Sequence, residues 1–373
     1  MYQSAASMFK NKKVLILGFG REGMSTYRFL RNMYPDMHLT IADKNEIKLD
    51  DKNVTLICGD SYMDSLNDFD IVMKSPGIAF LDVDIKDGTL VTCQTDLFLK
   101  FAPCRKVGIT GSKGKTTTST LIYDMLKEGG FDARLIGNIG VPVLEDINTV
   151  TPETIAVIEM SSHQLEFTTS SPEVAVLTNI YEEHLDHYRD GFRGYVNAKL
   201  NIVRRQKESD TFIYNATQGL DGLCDLGKIK SHKVGVKKDA PLPFAVNNEH
   251  LLGEHNRQDI LFALEAAKHF GVDTAAAERA VEKFSGIEHR MEKVGTFRGI
   301  TFYNDCIATI PHAVECAVEA LKNVDTLIFG GMDRGLDYSE FENYLKKSNI
   351  KNLIGTPATG HKICDKIEGA PSK

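Results

Sequence analysis

Paired cysteines are missing from this sequence. Its seven cysteines, Cys58, Cys93, Cys104, Cys224, Cys306, Cys316 and Cys364, are odd in number, scattered, and contain no C-x-x-C pair. A disulfide framework or a zinc cluster is therefore excluded as the organising device, and the pattern reads as reduced thiols in a cytoplasmic enzyme. Long apolar runs are missing too. The stretch around residues 14–17 falls far short of the ~20 residues that cross a bilayer. Met1-Tyr2-Gln3-Ser4-Ala5 leads straight into a lysine-containing stretch and a strand, so no secretory signal is expected. Nor is there an excess of positive charge. With 44 basic against 51 acidic side chains, a net charge of −7 and a pI near 5.9, the chain is not built to wrap nucleic acid. No nucleic-acid or membrane partner is expected, and the working expectation is a monomer.

What is present is an ordinary globular composition. The chain has 373 residues, 42% hydrophobic and 25% charged, which excludes disorder and predicts two or three domains. Short apolar runs alternate with helical patterns almost throughout, the signature of an α/β fold with mostly parallel sheets. Three units are expected: residues 1–103, 104–288 and 289–373. Between residues 221 and 249, short strands and turns predict an antiparallel edge. The third unit is thin beside the usual 100–150 residues of such domains, and the expectation is that it is truncated.

The strongest chemical signal is Thr110-Gly111-Ser112-Lys113-Gly114-Lys115-Thr116 between a strand (residues 106–110) and a helix (Lys115–Glu128). Glycines let backbone N–H groups close around an anion, the helix N-terminus adds its positive dipole end, Lys115 reaches terminal phosphates and Thr116 offers a hydroxyl to Mg²⁺. The strict eight-residue pattern fails, because Ile109 stands at its first glycine. The next strand delivers Glu159 at its carboxyl end, ahead of Met160-Ser161-Ser162-His163-Gln164-Leu165, where ligands of open α/β sheets bind. A carboxylate there suits Mg²⁺ or a helix start. Asn179-Ile180-Tyr181-Glu182-Glu183-His184-Leu185-Asp186 ends a further strand and reads either as a solvated acidic loop or as a second metal or substrate site. Gly18-Phe19-Gly20-Arg21-Glu22-Gly23 follows a strand, with Asp43 about twenty residues on, the spacing of a dinucleotide fingerprint. Beside a phosphate loop, this unit can instead take the diphosphate of a nucleotide-linked substrate.

In combination these residues resemble the Mur ligase family of ATP-dependent amide ligases. The resemblance runs through Ser75-Pro76-Gly77-Ile78, Gly137-Asn138-Ile139-Gly140, Ala198-Lys199, Gly253-Glu254-His255-Asn256, His289-Arg290, Asn304-Asp305, Ala308-Thr309 and Gly330-Gly331. It implies three domains: a Rossmann-like N-terminal domain, a central phosphate-loop domain and a Rossmann-like C-terminal domain. The glycine-loop N-terminal unit and the Ser-Ser-x-Gln-Leu segment favour a member adding D-glutamate to UDP-N-acetylmuramoyl-L-alanine, in cytoplasmic peptidoglycan precursor synthesis. ATP would activate the substrate carboxylate as an acyl phosphate, which the amino-acid amine then attacks.

By the resemblance, ATP would meet Gly111, Ser112, Lys113, Gly114, Lys115, Thr116, Thr117, Asn256, Asp259, Arg290 and Asp305. Thr116 and Glu159 would hold a first Mg²⁺, and His184 with Lys199 a second. A lysine cation cannot ligate a metal, so Lys199 would act as a carbamate formed with CO₂. Lys115, Lys199 and His184 would be catalytic. Gly20, Arg21, Glu22, Asp43, Lys44, Gly77 and Asn138 would surround the UDP-substrate, and Thr309 and Arg334 the amino acid. Departures from the family pattern are Asp259, where an Asn is usual, and Ile307, where a lysine is expected to meet the amino-acid carboxylate. Other readings are another Mur-type or folylpolyglutamate-type ligase, a phosphate-loop NTPase switch, and a chain that binds nucleotide and nucleotide-sugar without turnover. Gly18–Gly23 speaks against the folate type, and no water-positioning signature supports a switch.

Overall fold

The computed structural model describes residues 2–220, 222–333 and 335–367. The chain divides into two compact units: Met1–Phe244 with Asp259–Val281, and Ala245–Gln258 with Glu282–Lys373.

The first unit holds two parallel sheets. A helix, α1 (Tyr2–Phe9), precedes β1 (Val14–Leu17), α2 (Arg21–Met33), β2 (Leu39–Asp43), β3 (Val54–Cys58), β4 (Ile71–Lys74), β5 (Leu90–Thr92) and α3 (Gln94–Phe101). The sheet order is β3-β2-β1-β4-β5, with Leu17 in register with both Ala42 and Lys74. The Val-Leu-Ile-Leu of β1 is buried throughout, as a central parallel strand covered on both faces requires. At its end the chain packs so closely that a Cβ on Gly23 would lie 1.9 Å from the Gly18 carbonyl oxygen. Only glycine permits that approach of loop to helix.

The second sheet follows: β6 (Arg105–Thr110), α4 (Lys115–Glu128), β7 (Ala133–Gly137), α5 (Val143–Asp146), β8 (Ile155–Glu159), α6 (Ser162–Leu165), β9 (Val174–Leu177), α7 (Gly191–Arg204), β10 (Thr211–Asn215) and β11 (His232–Val236). Its order is β11-β10-β9-β6-β8-β7. Among the described residues the edge expected after residue 221 is parallel, not antiparallel, because β11 pairs with β10 in parallel. Residues 216–231, which include a short 3₁₀ turn at Leu226–Lys228, supply the dozen or so residues that a parallel crossover needs. From β6 the chain runs to β7 and β8 on one side and then crosses to β9, β10 and β11 on the other, and such a reversal beside β6 is where open α/β sheets form a crevice at the strands' carboxyl ends. The apolar core runs continuously from Val14, Ile16 and Leu30 to Ile158, Leu177 and Phe212.

Helix α8 (Gly253–His269) contributes residues to both units, and α9 (Thr274–Lys283) follows it. The second unit then has an antiparallel hairpin, β12 (Glu292–Phe297) with β13 (Ile300–Asn304). Helix α10 (Pro311–Leu321), β14 (Thr326–Gly330), α11 (Ser339–Lys347), β15 (Asn352–Thr356) and α12 (Thr359–Lys366) complete it. Strands β14 and β15 pair in parallel over Phe329, Phe341, Leu345, Leu353 and Ile363.

Candidate active site

Four strands of the second sheet discharge their loops at one edge. Strand β6 leads into the glycine loop, β8 ends at Glu159, β7 at Gly137 and β9 just before Thr178, with Glu159 in register with both Ile109 and Gly137. The loop is held from the β9 side. The Ser112 amide donates to the Asn179 carbonyl (2.9 Å) and the Lys113 amide to Asn179 Oδ1 (2.8 Å). Thr178 Oγ1 and Asn179 Nδ2 both donate to the Lys113 carbonyl, at 2.6 and 3.0 Å. Ser112 Oγ lies 2.6 Å from Tyr195 Oη on α7. Gly114 caps α4 with φ +81°, so the following helix presents its N-terminus to the loop, the arrangement that binds phosphate. Lys115 folds back, its Nζ donating to the Gly111 and Ser112 carbonyls at 2.9 Å each. Lys113 pairs with Glu183 at 3.0 Å, and Thr116 and Thr117 stand in the first turn of α4.

Behind the loop lies Lys199, 1% exposed. Its Nζ donates to the Gly111 carbonyl at 2.7 Å. Burial, then the neighbouring Lys115, holds its amine well below the ordinary lysine range, because a charge in a dry site is costly and a second cation adds to the cost. Glu159 is also buried. Its Oε1 accepts from Asn138 Nδ2 at 2.7 Å, whereas among the described residues its Oε2 has no hydrogen-bond partner. A buried carboxylate oxygen left open in this way fits a cation ligand. No group of three or more His, Cys, Asp or Glu among the described residues is arranged to hold a metal. Unmodified, Lys199 offers Mg²⁺ no oxygen, and its Nζ is engaged with the Gly111 carbonyl, so the second expected donor pair fits the ion only after Lys199 is modified. His184 sits in the left-handed region, φ +56°, with its ring 4.8 Å from that of His163. Burial, then His187 and His184, pushes the His163 imidazole down to about 3.

The residues expected around the UDP-substrate gather at the carboxyl edge of the first sheet and its junction with the second. Gly20 caps α2, Arg21 donates to the Gly140 carbonyl, and Glu22 accepts from Gln164 Nε2 at 2.8 Å. Asp43 Oδ2 accepts from the Phe19 amide at 2.7 Å, so it fastens the glycine loop. Lys44 is exposed, 3.9 Å from Asp60. Gly77 lies in the turn after β4, and Ser75 Oγ of that turn donates to the Gly18 carbonyl at 3.0 Å.

Asp259 is buried and accepts from Thr118 Oγ1 on α4 at 3.2 Å. It therefore meets the helix that follows the phosphate loop. The other expected nucleotide and amino-acid contacts belong to the second unit. Asn256 is buried, its Nδ2 donating to the Leu252 carbonyl (2.8 Å). Arg290 donates from its amide to Ile287, Asp305 Oδ1 accepts from the Met291 amide (3.1 Å), and Thr309 is half-buried before α10. Arg334 lies outside the described residues. Asn179, which grips the loop through three of its atoms, opens the segment expected to be an acidic loop or a metal or substrate site, but its hold on the glycine loop is not among the expected roles. Its signal was its place two residues beyond a strand end facing the glycines.

Fold and site together define an α/β enzyme that handles nucleotide phosphates. Residues 109–247 match the Mur ligase middle domain, and residues 12–91 the Mur ligase MurD-like N-terminal domain. A UDP-N-acetylmuramoylalanine–D-glutamate ligase of Clostridium kluyveri is 33% identical, over 98% of this chain and 84% of its own length. That of Ligilactobacillus salivarius is 34% identical, over 91% and 80%. Among solved structures, MurF from Acinetobacter baumannii superposes with a TM-score of 0.62 at 17% identity, covering 96% of this chain and 80% of its own. MurF ligase from Thermotoga maritima, in complex with ADP, gives 0.60 at 16%, covering 94% and 82%. The chain belongs to the Mur ligase family.

Proposed function

We infer that this chain is an ATP-dependent amide ligase that adds D-glutamate to UDP-N-acetylmuramoyl-L-alanine in peptidoglycan precursor synthesis. The observation that carries this reading is the convergence of the Gly111–Lys115 loop, Glu159 and the buried Lys199 on one sheet edge, in a chain so similar along its length to D-glutamate ligases. We read residues 1–103, 104–288 and 289–373 as the domains for UDP-substrate, ATP and amino acid, and the enzyme as a cytoplasmic monomer. No helix among the described residues is long and apolar enough to cross a membrane.

The mechanism follows from the charges. A substrate carboxylate must approach a triphosphate, so two anions have to be brought together and aligned. The amides of the loop and the α4 N-terminus would cradle the phosphates. Lys115, released from the Gly111 and Ser112 carbonyls, would follow the γ-phosphoryl group during transfer. Arg21 and the glycine loop of the first sheet would hold the substrate diphosphate, and Asn138 would orient the substrate next to Glu159. The amino-acid amine would then attack the acyl phosphate, expelling phosphate and losing a proton as the amide forms. Thr116 and Glu159 would hold one Mg²⁺, and His184 with carbamylated Lys199 a second. When bound, these ions neutralise phosphate charge. Asn256, Arg290, Asp305 and Asp259 are proposed as further ATP contacts, and Thr309 and Arg334 as contacts to D-glutamate.

Phosphate release from ATP, with UDP-N-acetylmuramoyl-L-alanine and with or without D-glutamate, tests this reading. Release that requires both is expected. Tight binding of the UDP-sugar without release would point to a binding protein, and failure to bind it would overturn the substrate assignment.

A further inference from the structure

A buried charge pair joins the two parallel sheets at a point that the mechanism above does not use. Lys74 is the last residue of β4 and immediately precedes the Ser75-Pro76-Gly77 turn. Its side chain is 1% exposed and its Nζ lies 3.2 Å from Glu166 Oε2, just past α6. The ammonium is also flanked by two rings, Phe80 at 5.4 Å and Phe167 at 5.3 Å, so it is held from several sides. The same carboxylate oxygen is 3.5 Å from His187 Nε2. The His187 ring lies against His163, 3.9 Å between centroids and tilted by 35°, and His163 meets His184 edge-on at 4.8 Å. One carboxylate thus connects the substrate turn of the first sheet to the loop that carries His184. A parallel connection, Glu22 to Gln164, fastens α6 itself through the Ser161 capping box.

We propose that Lys74 and Glu166 are positioning residues for the ligation reaction, acting through His187 to hold the His184 loop in register with the substrate turn. The proposal rests on the ligase reading for its kinetic consequence and on the geometry alone for its structural one. Among the described residues, Lys74 has no other acid at hydrogen-bonding distance, and no other lysine or arginine pairs with Glu166, whose remaining side-chain neighbour is the His187 ring at 3.5 Å. With either partner removed, the His187 ring loses its fixed neighbour, and the contacting imidazoles can rotate. Misplacement of a reacting group by about 1 Å is enough to cost up to ~100-fold in rate.

The test uses the full chain with Lys74→Met, Glu166→Gln, the double variant and Lys74→Arg. The expected result is a fall in kcat of about 10- to 100-fold for either single variant. KM for ATP is expected to move less than about threefold, the split that marks loss of an effect exerted only at the reacting centre. The double variant should be no worse than the worse single variant, because the two side chains act as one unit. Lys74→Arg, which keeps the charge, should recover most of the rate. A drop in Tm with kcat unchanged would overturn the proposal by making the pair merely structural. Should Lys74→Met fail to fold, Glu166→Gln, which has nearly the same shape, carries the test. Hydrogen–deuterium exchange on the free protein supplies a readout independent of turnover. Faster exchange confined to residues 179–190 in Glu166→Gln supports the proposal, and unchanged protection there overturns it, even if the wild-type chain proved not to be a ligase.

Discussion

Lys199 Nζ and the Gly111 carbonyl stand 2.7 Å apart, so a buried lysine of α7 touches the backbone of the glycine loop itself. Burial and Lys115 keep that amine low, and a neutral amine is the form that adds CO₂. A carbamate there would exchange a donor for an anionic oxygen ligand. Wild-type protein in ¹³C-bicarbonate should therefore show a carbamate carbonyl signal that Lys199→Met lacks. The variant should lose more than about 100-fold in kcat, the usual loss when a group acting on transition-state charge is deleted. An active Lys199→Met, or a wild type without the signal, would remove Lys199 from the site.

The loop leaves no room at Gly111. A Cβ there would lie 1.9 Å from Thr178 Oγ1, at a backbone φ of +154°. Thr178 cannot yield without releasing the Lys113 carbonyl that it binds at 2.6 Å. Gly111→Ala should weaken ADP binding at least about tenfold, in line with the cost of strain at a special backbone position. Isothermal titration would measure it. Equal affinity would mean that the loop does not carry the phosphates.

Asp124, half-buried on α4 next to Glu128, has its carboxyl pushed up to about 6, by burial first and Glu128 second. A raised carboxyl pKa means that the folded state holds its proton more tightly than the unfolded one. The stability this provides is complete below pH 3.8 and is lost as pH rises through about 6. Asp124→Asn should then be the more stable protein at pH 8, by about 1–2 kcal/mol after allowing for solvent screening, and its advantage should disappear at low pH. Urea unfolding across that range would show it, and a difference that does not vary with pH would refute the assignment.

Much of this architecture was legible in residue order because its signals are local. The glycines, Lys115 and Thr116 sit within one turn between a strand and a helix, and the apolar run of β8 ends on the carboxylate of Glu159. Contacts such as Asn138 with Glu159 and Lys74 with Glu166 span 21 and 92 residues. Nothing in the intervening sequence distinguishes a buried Lys74 from a surface lysine at a strand end. The parallel pairing of β11 was hidden for a related reason: strand direction depends on which way the connection crosses the sheet, and the turn-rich residues 216–231 suit either course. The opening helix α1 is hard to see in the sequence because its eight residues carry no capping signal.

Glu173 ties the start of β6 to the end of α8. Arg105 meets it in a fork, Nη2 to Oε1 at 2.5 Å and Nε to Oε2 at 3.2 Å, and His269 Nε2 lies 3.0 Å from Oε1. Burial alone would raise this carboxyl, but the hydrogen bonds from His269 and Arg105 outweigh it and bring the group down to about 2. A lowered carboxyl pKa gives stability that is present above 4.5 and lost as pH falls through about 2. Glu173→Gln keeps the shape and removes the charge, so it should cost about 2 kcal/mol at pH 7, less than the full shift implies because the group is partly exposed. Below pH 4.5 the wild type and the variant should converge as the wild-type carboxyl gains its proton. Denaturant titrations at stepped pH would trace the convergence. If the gap stayed constant down to pH 2, the stabilisation would come from packing of the side chain, and the ion pair would contribute nothing.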